Sequence, residues 1–175
     1  MDKTLKGNAI VIQGAHINAD TAMGWYLGMD SLPANEIAVK FMVGINPEIP
    51  KMAKQNDILV GGRNFGFGKV HGSFFTAMKA IGISCIVAES FSTQLLQSCL
   101  QYPNFLIVEV PGILNSVEMG DEIEVDWETA EVRNISKNTE IKGNKFPPYL
   151  VEVMKSGGQM GMLARKMAAR KQPVN

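Results

Sequence analysis

One short stretch of the chain carries side chains that could do acid–base chemistry on a small anionic ligand. Lys69, His71 and Ser73 alternate along it. The glycines that precede them are Gly61, Gly62, Gly66 and Gly68. An amine or an imidazole can take up or release a proton, and either group can also bind a carboxylate. The pattern therefore favours a site for a small carboxylic acid.

The neighbouring segments predict how these residues are held. Residues 58–60 are an apolar run typical of a strand, and residues 74–81 are apolar at helical spacing until Gly82 ends the helix. Glycine allows positive φ and a close approach of the backbone to a ligand. The free N–H groups at a helix start favour carboxylate or phosphate. We therefore expect a strand, a glycine-rich loop and a helix, with the ligand at the helix start.

A second polar loop follows the predicted first strand, residues 8–13. Asn18 and Asp20 lie two positions apart there, which fits two interpretations. One is a local turn in which a side chain bonds a nearby backbone N–H. The other is a ligand-binding loop that faces the glycine-rich one. Trp25 and Tyr26 are predicted to anchor the core.

The rest of the chain separates into two patterns. The first pattern continues with a buried strand at 83–88, a helix at 91–101 capped by Ser90, and a strand at 105–110. With the earlier elements this makes a βαβαβ unit, which right-handed crossovers make compact. Two shorter helices, at 34–42 and 49–55, connect its first half.

After Pro111 the sequence alternates, which predicts antiparallel strands. They span residues 121–127, residues 130–135 with Val132 and Ile135 as the apolar positions, and residues 139–142. The acidic residues at 118–128 are predicted to form a solvated face.

The C-terminal part is predicted to be helical. One helix starts at Pro147-Pro148 and ends before Gly157-Gly158, and a basic, Met-rich amphipathic helix follows at 159–170. The second helix could dock on its own domain or bind a partner or an anionic surface. We therefore divide the chain into a domain at 1–158 and a C-terminal helix or tail at 159–175.

Composition excludes some partners. The chain has 17 basic and 17 acidic residues, so its net charge is zero, and nothing predicts binding to nucleic acid. Self-association of the isolated chain is compatible with zero net charge. The N-terminal residues lack the apolar core of a signal peptide, and no apolar run is long enough for a membrane span. These features predict a cytoplasmic protein with no membrane partner.

Two motifs and the order of the elements resemble a known family. GRNFGFG at 62–68, followed by a helix and by ISCIVAESF at 83–91, resembles the small subunit of 3-isopropylmalate dehydratase. This is the swivelling domain of the aconitase family. HINAD at 16–20 and the late hairpin also fit, and the likeness covers most of residues 7–158. It implies an α/β fold, a swivelling β/β/α domain of the aconitase C-terminal type with a late antiparallel hairpin.

The resemblance also implies a partner and a cofactor. In such enzymes a [4Fe-4S] cluster in a separate large subunit binds the substrate hydroxyl as a Lewis acid. This chain would close over the substrate and supply the base and the carboxylate contacts. It is expected to bind no cofactor or metal itself. Its two cysteines, Cys85 and Cys99, form no CxxC motif and are predicted to be buried thiols.

The active-site loop departs from the family pattern, in which NFGxG is followed by Ser-Ser-Arg-Glu-His. In that pattern the first serine is the base and the arginine binds a substrate carboxylate. Here the matching positions are Lys69 and His71. Lys69 could be a base or a carboxylate anchor. His71 could be an acid–base group or a donor to a carboxylate. Both could instead be ordinary polar residues of a subunit that has lost or changed its activity.

Two functional hypotheses follow. The first is the small subunit of a hydro-lyase, a dehydratase or isomerase acting on a hydroxy-carboxylic acid. The residues assigned to catalysis are Lys69, His71 and Ser73, and those assigned to substrate binding are Asn18, Asp20, Asn64, Gly66 and Gly68. The second is a non-catalytic carboxylate-binding or regulatory subunit on the same fold. A nucleotide-binding domain is disfavoured, because the loop has neither a P-loop ending nor dinucleotide spacing.

Overall fold

The computed structural model describes residues 3–102 and 105–170, which form an α/β fold on one seven-stranded sheet. The strands are β1 Thr4–Ile12, β2 Ile58–Gly61, β3 Cys85–Ala88, β4 Leu106–Glu109, β5 Glu122–Asp126, β6 Glu131–Asn134 and β7 Thr139–Lys142. The helices are α1 Ala19–Met23, α2 Ala34–Ala38, α3 Ile49–Met52, α4 Gly72–Ile81, α5 Thr93–Gln101, α6 Pro148–Lys155 and α7 Gly158–Arg170. Single 3₁₀ turns lie at Met29–Ser31 and Ile113–Asn115.

The sheet joins a parallel half to an antiparallel half, in the order β4-β3-β2-β1-β5-β6-β7. Strands β1 to β4 pair in parallel, and β5 to β7 pair antiparallel. The central strand β1 serves both halves, since residues 9–12 pair with β2 and residues 4–8 pair with β5. The predicted α/β class with a late antiparallel hairpin is confirmed.

The dual role of β1 follows from its sequence. Its first half alternates between exposed and half-buried residues, and its last four residues are all buried. Alternation suits an antiparallel strand with one wet face, and a continuous apolar run suits a parallel strand covered on both sides. The predicted start at residue 8 was wrong by four positions, because the alternating half becomes a strand only through its pairing with β5.

The predicted helix at 74–81 is confirmed and begins slightly earlier, at Gly72, while Gly82 ends it at φ 92°. The two connecting helices are shorter than predicted. Helix α2 ends at Ala38. The predicted helix could not have continued to residue 42, because Met42 has a left-handed backbone with φ 56°, which an α-helix does not allow. Helix α3 ends at Met52, because Ala53 is extended.

Helix α5 begins two residues later than predicted. Its cap is Ser92, whose hydroxyl accepts from the N–H of Leu95, and not Ser90. Ser90 is used elsewhere, since its Oγ accepts from the N–H of Asn64, and Phe91 forms a bridge with Phe65 of the glycine-rich loop. Both serines could cap a helix by residue type. The glycine-rich loop decides between them, because Asn64 bonds to Ser90 and Ser92 caps the helix.

One inward position of the hairpin was predicted wrongly. In β6 the buried residues are Val132 and Asn134, and Ile135 lies in the turn that follows. The Asn134 amide donates to the carbonyl of Ser116 at 2.9 Å and to Oδ2 of Asp121 at 2.7 Å. Because these bonds satisfy its amide, an asparagine can occupy a core position.

The predicted acidic face at 118–128 is solvated only in part. Asp121 and Asp126 are largely shielded from solvent, at 13% and 14% side-chain exposure. Burial alone would raise the pKa of Asp121, but bonds from the Glu118 N–H, Asn134 and Lys137 outweigh it and lower that pKa. Both carboxylates therefore help to hold the antiparallel half together.

Helices α6 and α7 pack against each other and against α5. Met162 of α7 is buried, whereas Met160, Leu163 and Met167 are exposed. The terminal helix therefore docks on its own chain through part of its apolar face. Residues 1, 2, 103, 104 and 171–175 of the two predicted segments lie outside the described residues. In the part of the chain that the structure describes, no helix is long and apolar enough to cross a membrane.

Candidate active site

Three loops meet at one edge of the sheet. Strands β1, β2 and β3 are parallel, so their carboxyl ends lie together, and each is followed by a polar loop. Ligands of open α/β sheets bind in the crevice outside the carboxyl ends of the strands. The glycine-rich loop, residues 62–71, lies between the loop after β1 and the loop after β3.

Hydrogen bonds join the glycine-rich loop to the loop after β1. The N–H of His16 donates to the carbonyl of Arg63 at 2.8 Å, and the N–H of Phe67 donates to the carbonyl of Ile17 at 2.9 Å. Asn64 and His16 both have left-handed backbones, with φ 50° and 57°, and the Asn64 amide lies 2.9 Å from His16 Nδ1. The predicted pairing of the two polar loops is therefore present.

A second set of bonds joins the glycine-rich loop to the loop after β3. Ser90 Oγ accepts from the N–H of Asn64 at 2.9 Å, and Ser92 Oγ donates to the carbonyl of Gly66 at 2.6 Å. Ser92 is buried and also caps α5. The Ser-Phe motif at 90–91 thus fixes the path of the loop.

Gly66 and Gly68 are required by the packing of the loop itself. Both have positive φ, 74° and 77°. A Cβ at Gly66 would lie 2.4 Å from Cδ2 of Leu95, and one at Gly68 would lie 2.4 Å from Nδ2 of Asn18. Any side chain at either position would push the loop away from its neighbours.

The two interpretations of the early loop both find support. Asn18 caps α1, since its Oδ1 accepts from the N–H of Thr21 at 2.8 Å, which is the predicted local turn. Asp20 instead crosses to the glycine-rich loop. Its Oδ1 accepts from the backbone N–H of His71 at 3.1 Å, and its Oδ2 lies 2.6 Å from His71 Nδ1.

The His71 ring is held on a second side by Trp25. The two rings are stacked, with centroids 3.9 Å apart and planes 9° from parallel. The side chains of His71 and Asp20 are each 17% exposed, so the pair is largely shielded but still reaches the protein surface. Trp25 is therefore part of the site, and the prediction that it only anchors the core missed this contact.

The start of α4 is not free to receive an anion in the way the sequence predicted. The N–H of Ser73 donates to Oδ1 of Asp30 at 2.7 Å, and the N–H of His71 donates to Asp20. Carboxylates of the protein itself occupy these donors, because opposite charge is favoured at a helix start. The Ser73 side chain is buried, and its Oγ has no partner among the described residues.

Cationic side chains remain available on the loop. Lys69 and Arg63 are exposed, and among residues 3–102 and 105–170 neither forms an ion pair or a side-chain hydrogen bond. Two carboxylates, Asp20 and Asp30, lie at the start of the adjoining helix. An anionic ligand at this edge would therefore meet free cations and hydrogen-bonded protein carboxylates.

Sequence reasoning missed two residues of the site. Asp30 lies in a 3₁₀ turn and Trp25 follows α1, so neither belongs to a recognisable motif. Trp25 reaches His71 of the glycine-rich loop and Asp30 reaches Ser73 of α4, each across more than forty positions of the chain. Tyr26 was predicted to lie in the core but is 47% exposed. The local sequence gives no signal that would separate Trp25, which contacts the site, from Tyr26, which is exposed.

The residues of this chain do not fit an iron–sulfur cluster. Cys85 and Cys99 are both buried and free, and burial raises the pKa of Cys85 to about 12. Cluster ligands are thiolates, usually several together. Within the described residues, no group of three His, Cys, Asp or Glu side chains could hold a metal ion.

Comparison with known proteins gives consistent relatives. The chain is 38% identical over 133 residues to the isopropylmalate/citramalate isomerase small subunit of Methanocaldococcus jannaschii, covering 76% of this chain and 79% of the relative. It is 36% identical over 123 residues to the 3-isopropylmalate dehydratase small subunit of Caldicellulosiruptor saccharolyticus, covering 70% of each. With 3-isopropylmalate dehydratase small subunit 1 of Methanopyrus kandleri it shares 30% identity over 167 residues, or 95% of this chain and 96% of the relative.

The fold is also that of a solved structure. The crystal structure of 3-isopropylmalate dehydratase (leuD) from Methanocaldococcus jannaschii matches with a TM-score of 0.84 at 24% identity, covering 95% of this chain and 97% of the other. No protein-family model matches the sequence. The identities extend over more than two thirds of the curated relatives. The chain therefore belongs to the family of 3-isopropylmalate dehydratase small subunits.

Proposed function

We propose that this chain is the small subunit of a hydro-lyase that removes water from, or adds it to, a hydroxy-carboxylic acid. The observation that carries this proposal is the meeting of polar loops at the carboxyl ends of the parallel strands. There Lys69 is exposed on the glycine-rich loop, and His71 of the same loop is paired with Asp20. A cation and an oriented imidazole are what a carboxylate substrate with a removable proton requires.

The catalytic assignment is Lys69, His71 and Ser73, and the substrate-binding assignment is Asn18, Asp20, Asn64, Gly66 and Gly68. In this proposal Asn18, Asp20 and the glycines act by shaping the loop, because they contact other residues of the protein. The partner is a large subunit, and we place the [4Fe-4S] cluster there, since the cysteines of this chain are buried. We also propose that the complex is cytoplasmic.

The test begins with the complex. The chain is co-expressed with a cluster-bearing large subunit from the same genome, the two are purified together, and hydration and dehydration of malate-type acids are followed by ultraviolet absorbance. We expect Lys69→Ala to lower kcat/KM by about 10- to 150-fold, because a charge-assisted hydrogen bond contributes about 1.5–3 kcal/mol. Its thermal midpoint should stay within about 1 °C of the parent, since the Lys69 side chain has no partner in the described part of the chain.

The matched control is Lys145→Ala, another exposed lysine without an ion pair in the described part of the chain. It should leave both kcat/KM and the thermal midpoint unchanged. Equal turnover of the Lys69 and Lys145 variants would show that Lys69 is a solvated loop residue. Failure to recover any complex with a large subunit would contradict the proposed function itself.

A second function is favoured by one observation, the replacement of the family's Ser and Arg by Lys69 and His71. On this reading the chain binds a carboxylate without turning it over. Calorimetry with di- and tricarboxylic acids distinguishes the two. Binding that Lys69→Ala abolishes, with no turnover in the complex, would support the carboxylate-binding subunit.

A further inference from the structure

The hydrogen bonds of His71 fix which ring nitrogen carries its proton. An ionised carboxylate can only accept hydrogen bonds. Asp20 lies 2.6 Å from Nδ1 and also accepts from the backbone N–H of the same residue. Nδ1 must therefore carry a hydrogen, and the lone pair of the neutral ring lies on Nε2. No group in the described residues bonds to Nε2.

The position of the ring is fixed as well. Trp25 stacks on one face of the ring, with centroids 3.9 Å apart, and Asp20 bonds to the Nδ1 edge. Turning the ring about its Cβ–Cγ bond would break the bond to Asp20, and any tilt would also break the stacking. His71 precedes the first residue of α4 with an extended backbone, φ −89° and ψ 162°, so its side chain is not part of the helical surface. Lys69 has none of these constraints, because its side chain is exposed and has no partner among the residues that the structure describes.

We propose that the Asp20–His71 pair is the proton-transfer unit of the site, with Trp25 as a second positioning residue, and that Lys69 is the carboxylate anchor. This rests on the proposed function. The Nε2 lone pair takes the proton, and the carboxylate of Asp20 stabilises the ring once it is charged. Compared with the serine base and the arginine of the family pattern, the proton acceptor and the cation have exchanged positions along the loop.

The C–H bond next to a substrate carboxylate breaks, and its proton passes to Nε2 of His71. The electron pair of that bond forms a carbon–carbon double bond as the neighbouring C–O bond breaks, and the hydroxyl leaves as hydroxide with the electron pair of the C–O bond. The proton that His71 then releases neutralises this hydroxide, so the net products are the unsaturated acid and one water molecule. Hydration is the reverse.

The first experiment uses the full-length chain alone and does not depend on activity. Ring nitrogen shifts of ¹⁵N-labelled histidine separate the two tautomers. The chain has two histidines, and the structure assigns them opposite tautomers, since Nδ1 of His16 accepts from the Asn64 amide while Nδ1 of His71 donates to Asp20. We expect a protonated Nδ1 only for His71, and a mixture of tautomers there in Asp20→Asn. The opposite tautomer at His71 would overturn the proposal.

The second experiment uses the complex with its large subunit and separates the roles kinetically. His71→Gln should lower kcat by about 10²- to 10⁴-fold with little change in KM, since a general base acts in the transition state. Lys69→Gln should raise KM by a larger factor than it lowers kcat. Transfer of deuterium from solvent into the substrate carbon should be lost with His71→Gln and kept with Lys69→Gln.

Trp25 provides a graded variant that keeps the fold measurable. Trp25→Phe retains an aromatic face and should recover most of the turnover that Trp25→Leu loses, with thermal midpoints of the two recorded as a check on folding. An active wild-type complex in which His71→Gln still exchanges the substrate proton would overturn this inference and leave the proposed function standing. A wild-type complex inactive on every hydroxy-carboxylic acid would overturn both.

Discussion

The close contact between Gly66 and α5 predicts a stability cost that can be separated into two parts. In Gly66→Ala the new Cβ would lie 2.4 Å from Cδ2 and 2.6 Å from Cβ of Leu95, which is fully buried. A left-handed backbone costs an L-residue about 1–2 kcal/mol. Overpacking in a dense core costs about 1–3 kcal/mol more. We expect the free energy of unfolding to fall by about 2–5 kcal/mol.

Gly112 supplies the control, because it shares the backbone conformation without the contact. Its φ is 80°, and a Cβ there would have nothing within 4 Å. Gly112→Ala should cost about 1–2 kcal/mol, the backbone part alone. Urea unfolding monitored by circular dichroism gives both values, and an unchanged slope would show that the unfolded state is the same.

A double variant tests the origin of the difference. In Gly66→Ala/Leu95→Ala the overlaps with Cδ2 and Cγ are removed and the one with Cβ at 2.6 Å remains, so the loss should be smaller than the sum of the two single losses, by up to about 3 kcal/mol. Equal costs for Gly66→Ala and Gly112→Ala, or strict additivity in the double variant, would refute the steric argument. The loop would then tolerate a side chain at Gly66 by moving away from α5.

Three further predictions concern the rest of the fold. Burial raises the pKa of Asp126, but the bond from Lys3 and two backbone N–H groups outweigh it and hold that pKa below its usual value. The stability that this carboxylate contributes is therefore complete above about pH 4 and is lost as the pH falls further. In urea titrations between about pH 6 and pH 3, the free energy of unfolding of Asp126→Asn should fall less with pH than that of the parent. Asn134→Leu should lower the free energy of unfolding by about 1–3 kcal/mol, because the carbonyl of half-buried Ser116 and the Asp121 carboxylate lose a donor; a change below about 0.5 kcal/mol would contradict this. Amides of α7 should exchange with deuterium before those of β3, because α7 is largely exposed; equal protection would show that it belongs to the most stable unit.

The sequence by itself determined the elements whose residues carry their own signal. The apolar runs of β2, β3 and β4 require cover on both faces, which only a parallel sheet with helices provides. The alternation after Pro111 requires antiparallel strands, and the hairpin follows. The glycine-rich loop between a strand and a helix was also visible, as were the family motifs.

The tertiary structure decided the features that depend on a partner far along the chain. Strand β1 gains its first half only by pairing with β5, and Ser92 becomes the cap of α5 because Asn64 uses Ser90. Asn134 is buried because Ser116 and Asp121 satisfy its amide. These contacts join residues that are far apart in the chain, so local propensity does not predict them.

The site divides in the same way. Residue types in the glycine-rich loop pointed to proton transfer and carboxylate binding, but not to which residue does which. That assignment depends on Asp20 and Trp25, which lie 51 and 46 residues before His71 in the chain and contact it in the fold. A side chain's chemistry depends on what it bonds and what covers it. Only the folding of the early loop against the glycine-rich loop gives His71 both its bonding partner and its cover. The same folding leaves the Lys69 side chain exposed, with no partner in the described part of the chain.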